Sequence, residues 1–139
     1  MQFRQVDANY LLVLNKGELL VSTLTEFCHK QSIAAGWLSG IGAVLHAELG
    51  YYHLDRQEYE FQNLDQVLEI VSLSGNVALK NDRPFLHLHA VLSDEKLRIY
   101  GGHLREATIG GTCELILMPL AGELTRRLDD ATGLSPLQL

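Results

Sequence analysis

The sequence predicts an α/β chain of the α+β type, in which a mostly antiparallel sheet of about seven strands packs against one main helix. Three observations predict this class. The chain has 139 residues, which suits one compact domain over residues 1–139. One stretch has apolar residues at helical spacing. The remainder consists of short apolar or alternating stretches separated by turn signals, with no repeat, low-complexity segment or linker.

The helix is predicted over residues 18–32. Leu19, Thr23 and Phe27 recur four residues apart, so they share one face of a helix. Glu18 lies in the predicted first turn, where a negative charge is favourable.

Seven strands are predicted from short apolar or alternating stretches bounded by turn residues. They cover residues 10–15, 44–52, 58–61, 67–73, 85–92, 97–100 and 112–120. Gly101 and Gly102 are expected to interrupt the sheet, and the tail from Asp129 is expected to be irregular. Most connections are of the hairpin type, so the sheet is expected to be mostly antiparallel.

A glycine-rich segment, residues 35–42, invites comparison with a nucleotide-binding loop. Leu45 stands where the third glycine of a GxGxxG pattern would lie, and no strand–helix–strand unit follows. The glycines therefore indicate a tight bend or a close approach of two backbone segments.

The charge balance argues against nucleic acid as the main partner. The formal net charge is −6, from 11 basic and 17 acidic residues, and the longest basic cluster is Arg126-Arg127. A protein that binds duplex DNA needs Lys and Arg to displace counterions from the phosphates. Charged residues make up 20% of the chain, below the usual share of about a quarter, which suggests a surface buried between subunits.

The cysteines and the N-terminus suggest a cytoplasmic protein. Cys28 and Cys113 are far apart in the sequence and are expected to be buried, reduced thiols. Residues 1–7 contain no apolar signal core, and no apolar run approaches the length of a membrane span.

Three histidines are the sharpest chemical feature. His87 and His89 flank Leu88 on a predicted strand, so both imidazoles face the same side of the sheet. His103 follows His89 by fourteen residues and returns to this neighbourhood if the two strands form a hairpin. A turn with Ser93 opposite Leu97 would place His103 directly across from His87. A four-residue turn would miss this position by one residue, which a bulge at the glycine pair could correct.

Three imidazoles from two adjacent strands would form a metal site with open positions for water or a ligand. The alternative is a polar sheet face without a metal. Glu114 is a candidate hydrogen-bond partner or general base for these histidines, and a surface carboxylate is the other interpretation. The remaining histidines, His29, His46 and His53, have no such grouping and are expected to be surface or hydrogen-bonded residues.

Six sequence pieces, in order and spaced along most of the chain, resemble the plants-and-prokaryotes conserved (PPC) domain. They are GELL at 17–20, GWLSGIGA at 36–43, AELGYY at 47–52, LEIVSLSGN at 68–76, PFLHLHA at 84–90 and GGHL at 101–104. The family also includes the plant AT-hook nuclear-localised proteins and bacterial proteins that carry the name of DNA-binding proteins.

The resemblance implies a compact domain that assembles as a homotrimer. It also implies a metal, zinc or another divalent ion, at His87, His89 and His103. The plant members largely lack the His-x-His pair, and their DNA binding depends on a separate basic AT-hook that this sequence does not contain.

Three functions remain open on this basis. The first is a metal-dependent enzyme or small-ligand binder whose reaction the sequence does not define. The second is a DNA-binding or transcription-associated regulatory protein that acts as a trimer. The third is an oligomeric interaction module in which the metal is purely structural.

Overall fold

The computed structural model describes residues 1–139 and contains one helix, α1, and nine strands. In chain order the elements are β1 Gln2–Val6, β2 Asn9–Asn15, α1 Leu20–Lys30, β3 Gly36–His53, β4 Glu58–Leu64, β5 Leu68–Lys80, β6 Arg83–Ser93, β7 Ile99–Pro119, β8 Thr125–Arg126 and β9 Leu137–Gln138. No helix has both the length and the apolar character needed to cross a membrane.

All nine strands belong to one sheet, whose main path runs β1-β2-β7-β3-β5-β8-β9, with β4 paired to β3. Strand β6 pairs with both β5 and β7, so β3, β5, β6 and β7 close a circuit of pairing. Every pairing is antiparallel except the short contact of β5 with β8. The predicted fold class, a compact and mostly antiparallel α+β domain with one helix, is confirmed.

Helix α1 packs its apolar face on β6 and β7. Leu20, Leu24 and Phe27 on this face are buried in a core of 25 apolar residues. The helix begins two residues later than predicted. Glu18 lies before it, and its carboxylate accepts a hydrogen bond from the Asn15 N–H and binds the terminal ammonium. Ser32, with φ 55°, follows the end of the helix.

The first turn of α1 is capped from another element. Glu106 on β7 accepts hydrogen bonds from the backbone N–H groups of Val21 and Ser22, at 2.7 and 3.0 Å. The first N–H groups of a helix have no partner within it, so the carboxylate satisfies two of them. Its negative charge also interacts favourably with the positive end of the helix dipole. No residue next to the helix in sequence signals this cap.

Residues 36–42 of the glycine-rich segment belong to strand β3. A Cβ atom at Gly40 would lie 2.7 Å from the carbonyl oxygen of Glu114 on β7, so the glycine permits close packing of the two strands. Of the two interpretations from the sequence, close backbone approach is the one found.

The predicted interruption at Gly101 and Gly102 is wrong. Strand β7 continues through both glycines, so the predicted strands 97–100 and 112–120 are two ends of one strand. A Cβ at Gly102 would meet the carbonyl oxygen of Gly50 on β3 at 2.8 Å, and the absence of a side chain lets β3 and β7 stay paired.

Three strands were not predicted. All five residues of β1 are exposed, so the strand shows no alternation of buried and exposed residues. β8 and β9 are two residues each, and only β9 lies in the tail from Asp129 that the sequence predicts to be irregular. β8 brings Arg126 to the sheet, which matters for the site described next.

Candidate metal centre

Strand β6 presents His87 and His89 on the side of the sheet opposite the core. Leu86, Leu88 and Ala90 alternate with them and are buried, as the period of two requires. On β7, His103 precedes the buried Leu104 in the same way. The core residues thus hold the backbone that carries all three imidazoles.

The hairpin register differs from the predicted one. Ser93 pairs with Ile99 rather than Leu97, so His103 lies opposite His89 and not opposite His87. No bulge occurs at the glycine pair between these strands. Because the difference is two residues, His103 still faces the same side of the sheet.

The turn between β6 and β7 explains this register. Asp94 accepts hydrogen bonds from the backbone N–H groups of Lys96 and Arg98, at 2.8 and 3.0 Å, and pairs with the Arg98 side chain at 2.6 Å. Leu97 adopts a positive φ of 61°. The carboxylate therefore organises a five-residue turn, whereas the pairing of Ser93 with Leu97 predicted from the sequence would need a three-residue turn.

The three imidazoles converge. Ring centroids are 5.2 Å apart for His87 and His89, 5.2 Å for His87 and His103, and 5.6 Å for His89 and His103. One nitrogen from each ring can be chosen so that all three lie within 4.8 Å of one another. A tetrahedral zinc ion with bonds of about 2.0–2.1 Å holds its nitrogens about 3.3 Å apart, so modest side-chain rotations would close the set on one ion.

Burial keeps two of the rings neutral. Burial lowers the pKa of His103 to about 4, with the neighbouring histidines and Arg126 adding to the effect. Burial, then Arg126 and His89, also lowers the pKa of His87. Neutral imidazole is the form that binds metals, and the Nδ1 atom of His103 is buried without a hydrogen-bond partner. The donor set and its spacing therefore fit one divalent cation.

The histidines line one side of a cavity of about 550 Å³. Arg126, Lys80 and Tyr59 also line it, and the Tyr59 ring lies 4.8 Å from that of His103. Burial raises the pKa of Tyr59, with Tyr52 adding to the rise, so the phenol is neutral at physiological pH. Sequence reasoning missed these neighbours because they come from β4, β5 and β8, whose pairing no local pattern reveals.

Arg126 contacts the cluster through His87. Its Nη2 atom lies 3.4 Å from Nδ1 of His87 and donates to Oδ1 of Asn76 at 2.5 Å. Its Nη1 atom donates to the carbonyl of Ser135 at 2.7 Å. The Nε atom is buried and has no acceptor, and burial lowers the pKa of the guanidinium.

Glu114 does not reach the histidines within one chain. It lies eleven residues beyond His103 on β7, paired with Val13 and Ile41, and it lines a different cavity. Contrary to the expectation from the sequence, Glu114 therefore cannot serve as a hydrogen-bond partner or general base for the histidines of the same chain. The long strand β7 places Glu114 and His103 at distant positions.

The other predicted residues behave as expected. His46 pairs with Asp65 at 2.6 Å, His53 pairs with Glu60 at 2.9 Å, and His29 is exposed on the helix. Cys28 and Cys113 are free and buried, and burial raises the pKa of each thiol to about 12.

The fold and site together define a mostly antiparallel α+β domain with a three-histidine cluster at a cavity. The chain belongs to the Plants and Prokaryotes Conserved (PCC) domain family, whose model matches residues 1–121. This confirms the family resemblance stated from the six sequence pieces.

Two solved structures with similar folds have higher identity to the chain than the third one described below. A metal-containing protein from Archaeoglobus fulgidus is 40% identical, with a TM-score of 0.90, 100% of this chain and 99% of that chain being covered. A plant- and prokaryote-conserved (PPC) protein from Pyrococcus horikoshii is 28% identical, with a TM-score of 0.85 and coverages of 97% and 93%.

Two further relatives carry other names. A "putative DNA-binding protein" from Ralstonia eutropha JMP134 is 26% identical, with a TM-score of 0.93 and coverages of 99% and 95%. The bifunctional protein GlmU of Synechococcus sp. (strain JA-3-3Ab) is 34% identical over 133 residues, 94% of this chain. The chain spans about a fifth of the length of the curated relatives it matches.

Proposed function

We propose that the protein binds a divalent metal, zinc by preference, through His87, His89 and His103, and uses it to bind a small molecule. The observation that carries the proposal is the convergence of three imidazoles at one cavity, two of them kept neutral by burial. The metal-containing relative from Archaeoglobus fulgidus, 40% identical over the whole chain, supports it.

Three nitrogen ligands leave coordination positions free, as in catalytic zinc sites and unlike closed structural ones. When bound there, the metal would polarise a carbonyl or lower the pKa of a bound water toward neutrality. The chain itself would supply the neutral ligands, the wall of the cavity and the nearby cationic side chain of Arg126. This arrangement is compatible with an enzymatic reaction. We propose only that the metal binds a small molecule.

The test is metal analysis of the purified protein and of single variants. We expect close to one zinc per chain in the wild type. His87→Ala, His89→Ala or His103→Ala should each lose most of it, since each removes one of three ligands. His46→Ala is the matched control and should keep the metal, because His46 pairs with Asp65 away from the cluster.

Two results would contradict the proposed metal site. Wild-type protein that stays metal-free after incubation with zinc would exclude the site. Equal zinc content in the cluster variants and in His46→Ala would exclude these three residues as its ligands.

We also propose that the chain assembles as a homotrimer. Support comes from an exposed apolar face formed by Leu11 and Val13 on β2, Ile41 on β3 and Val71 on β5, which border one shallow cavity. Contiguous apolar surface of this kind is typical of an interface. The number of three subunits is what the resemblance to the family implies.

A further inference from the structure

The cavity beside the histidines has an excess of positive charge before any metal is added. Arg126 and Lys80 are its cationic side chains, and Glu58 is its one carboxylate. Glu58 is already paired with Arg56 at 3.2 Å. Neither Arg126 nor Lys80 takes part in any of the ion pairs of the protein, although acidic residues outnumber basic ones in the chain.

Arg126 is held in place without a negative partner. Its acceptors are the Ser135 carbonyl and the Asn76 amide oxygen, both neutral, and its guanidinium lies 5.6 Å from the centre of the Phe85 ring. The buried Nε–H has no acceptor at all. A half-buried cation with a free donor is costly unless a ligand supplies the missing acceptor and charge.

Lys80 approaches the same aromatic ring. Its Nζ atom lies 5.3 Å from the centre of the Phe85 ring. Phe85 thus carries both cationic groups of the cavity wall, each in a cation–π contact.

Metal binding would free a further donor of Arg126. The 3.4 Å contact of Nη2 with His87 Nδ1 requires a lone pair on that nitrogen. If His87 binds the metal through Nδ1, the lone pair is used. If it binds through Nε2, Nδ1 carries the proton of the neutral ring. In both cases Nδ1 no longer accepts, and the guanidinium can turn a donor toward the cavity.

We propose that Arg126 and the histidine-bound metal together bind one oxyanion, the carboxylate or phosphate group of a small ligand, with Lys80 adding attraction at the exposed edge. The remainder of the ligand occupies the cavity, whose volume of about 550 Å³ suits a small molecule. The proposal rests on the proposed metal site and names the chemistry of its ligand. An arginine fork suits this task because it binds both oxygens of a carboxylate or phosphate.

The experiment is calorimetric titration of the zinc-loaded protein with inorganic phosphate and, separately, with acetate. We expect saturable binding of at least one of them, and the tighter one identifies the group that the site prefers. Arg126→Gln should weaken this binding at least about tenfold, as expected for charged hydrogen bonds. The zinc content should remain that of the wild type.

Arg127→Gln is the matched control. Arg127 is exposed and adjacent in sequence, so its loss changes the net charge equally but should leave anion affinity unchanged. Lys80→Gln provides a second variant that keeps every contact of Arg126. It should weaken anion binding several-fold, even if Arg126→Gln disturbs the packing of the tail at Ser135.

The failures are distinguishable. Absence of zinc in the wild type would exclude the metal site and this inference with it. Zinc-loaded wild type that binds neither phosphate nor acetate would overturn the inference and leave the metal site standing. Equal anion affinity in the wild type, Arg126→Gln and Lys80→Gln would do the same.

Discussion

At the residue scale, His103 combines a buried, unpartnered Nδ1 atom with a pKa that burial lowers from 6.5 to about 4. A histidine in the unfolded chain takes up a proton near pH 6.5. Between about pH 6.5 and 4, His103 therefore binds a proton in the unfolded state but not in the folded state. Such a group makes the free energy of unfolding rise with pH across this window and level off above it.

We predict that the metal-free protein loses stability as the pH falls from 6.5 to 4. His103→Gln, which cannot take up the proton, should show a shallower decline over the same range. The measurement is urea unfolding of chelator-treated protein at several pH values. Parallel curves for the two proteins would contradict the assigned role of His103.

At the element scale, strand β7 links the core, the helix cap and the cluster. It pairs with β2, β3 and β6 in turn and carries Glu106, which caps α1, three residues after His103. Its close approach to β3 beside the cluster depends on Gly102, where a side chain would meet the Gly50 carbonyl. The position of His103 thus depends on the β3–β7 contact as well as on the turn at Asp94.

We predict that Gly102→Ala lowers the free energy of unfolding by about 1–3 kcal/mol, the usual cost of overpacking, and weakens zinc retention. The clash at 2.8 Å is with backbone, which cannot move aside as a side chain can. Gly111→Ala on the same strand is the matched control, since a Cβ there meets nothing within 4 Å. Urea unfolding and zinc content of both variants check this, and equal behaviour would exclude the proposed role of Gly102.

At the scale of the whole molecule, two properties extend beyond one chain: the exposed apolar face and the negative net charge. The face formed by Leu11, Val13, Ile41 and Val71 would be unusual on a protein that works alone. A net charge of −6 opposes binding to phosphates, while the positive cavity is local and small.

We predict that light scattering gives a mass about three times the 15.5 kDa of one chain at micromolar concentration. Ile41→Glu, which buries a charge in the proposed interface, should shift the protein toward monomer. Leu54→Glu alters a similarly exposed apolar residue in the turn before β4 and should leave the mass unchanged. A stable monomer in the wild type would contradict the prediction.

We predict weak duplex DNA binding, or none, at physiological salt. Non-specific binders there have dissociation constants of about 10⁻⁴–10⁻⁶ M. The net charge of −6 and the lack of a basic cluster longer than Arg126-Arg127 lead us to expect no tighter binding here. Fluorescence anisotropy with labelled duplex at about 150 mM salt measures it. Submicromolar binding would favour a DNA-associated role of the kind named for the Ralstonia eutropha relative.

Local patterns in the sequence were sufficient for the helix, for six of the nine strands and for the common face of His87 and His89. These follow from side-chain periods of 3.6 and 2 residues, which depend on neighbours in the chain. The presence of His103 near this pair also followed, since hairpin strands stay adjacent whatever the turn length.

The tertiary structure alone decided which residue lies opposite His103, the continuity of β7 and the assembly of the cavity. The register depends on the side chain of Asp94, which bonds residues two and four positions ahead. Arg126 reaches His87 across 39 residues through a two-residue strand too short to leave a pattern. Contacts between distant segments depend on the packing of the whole sheet, and no local period encodes them.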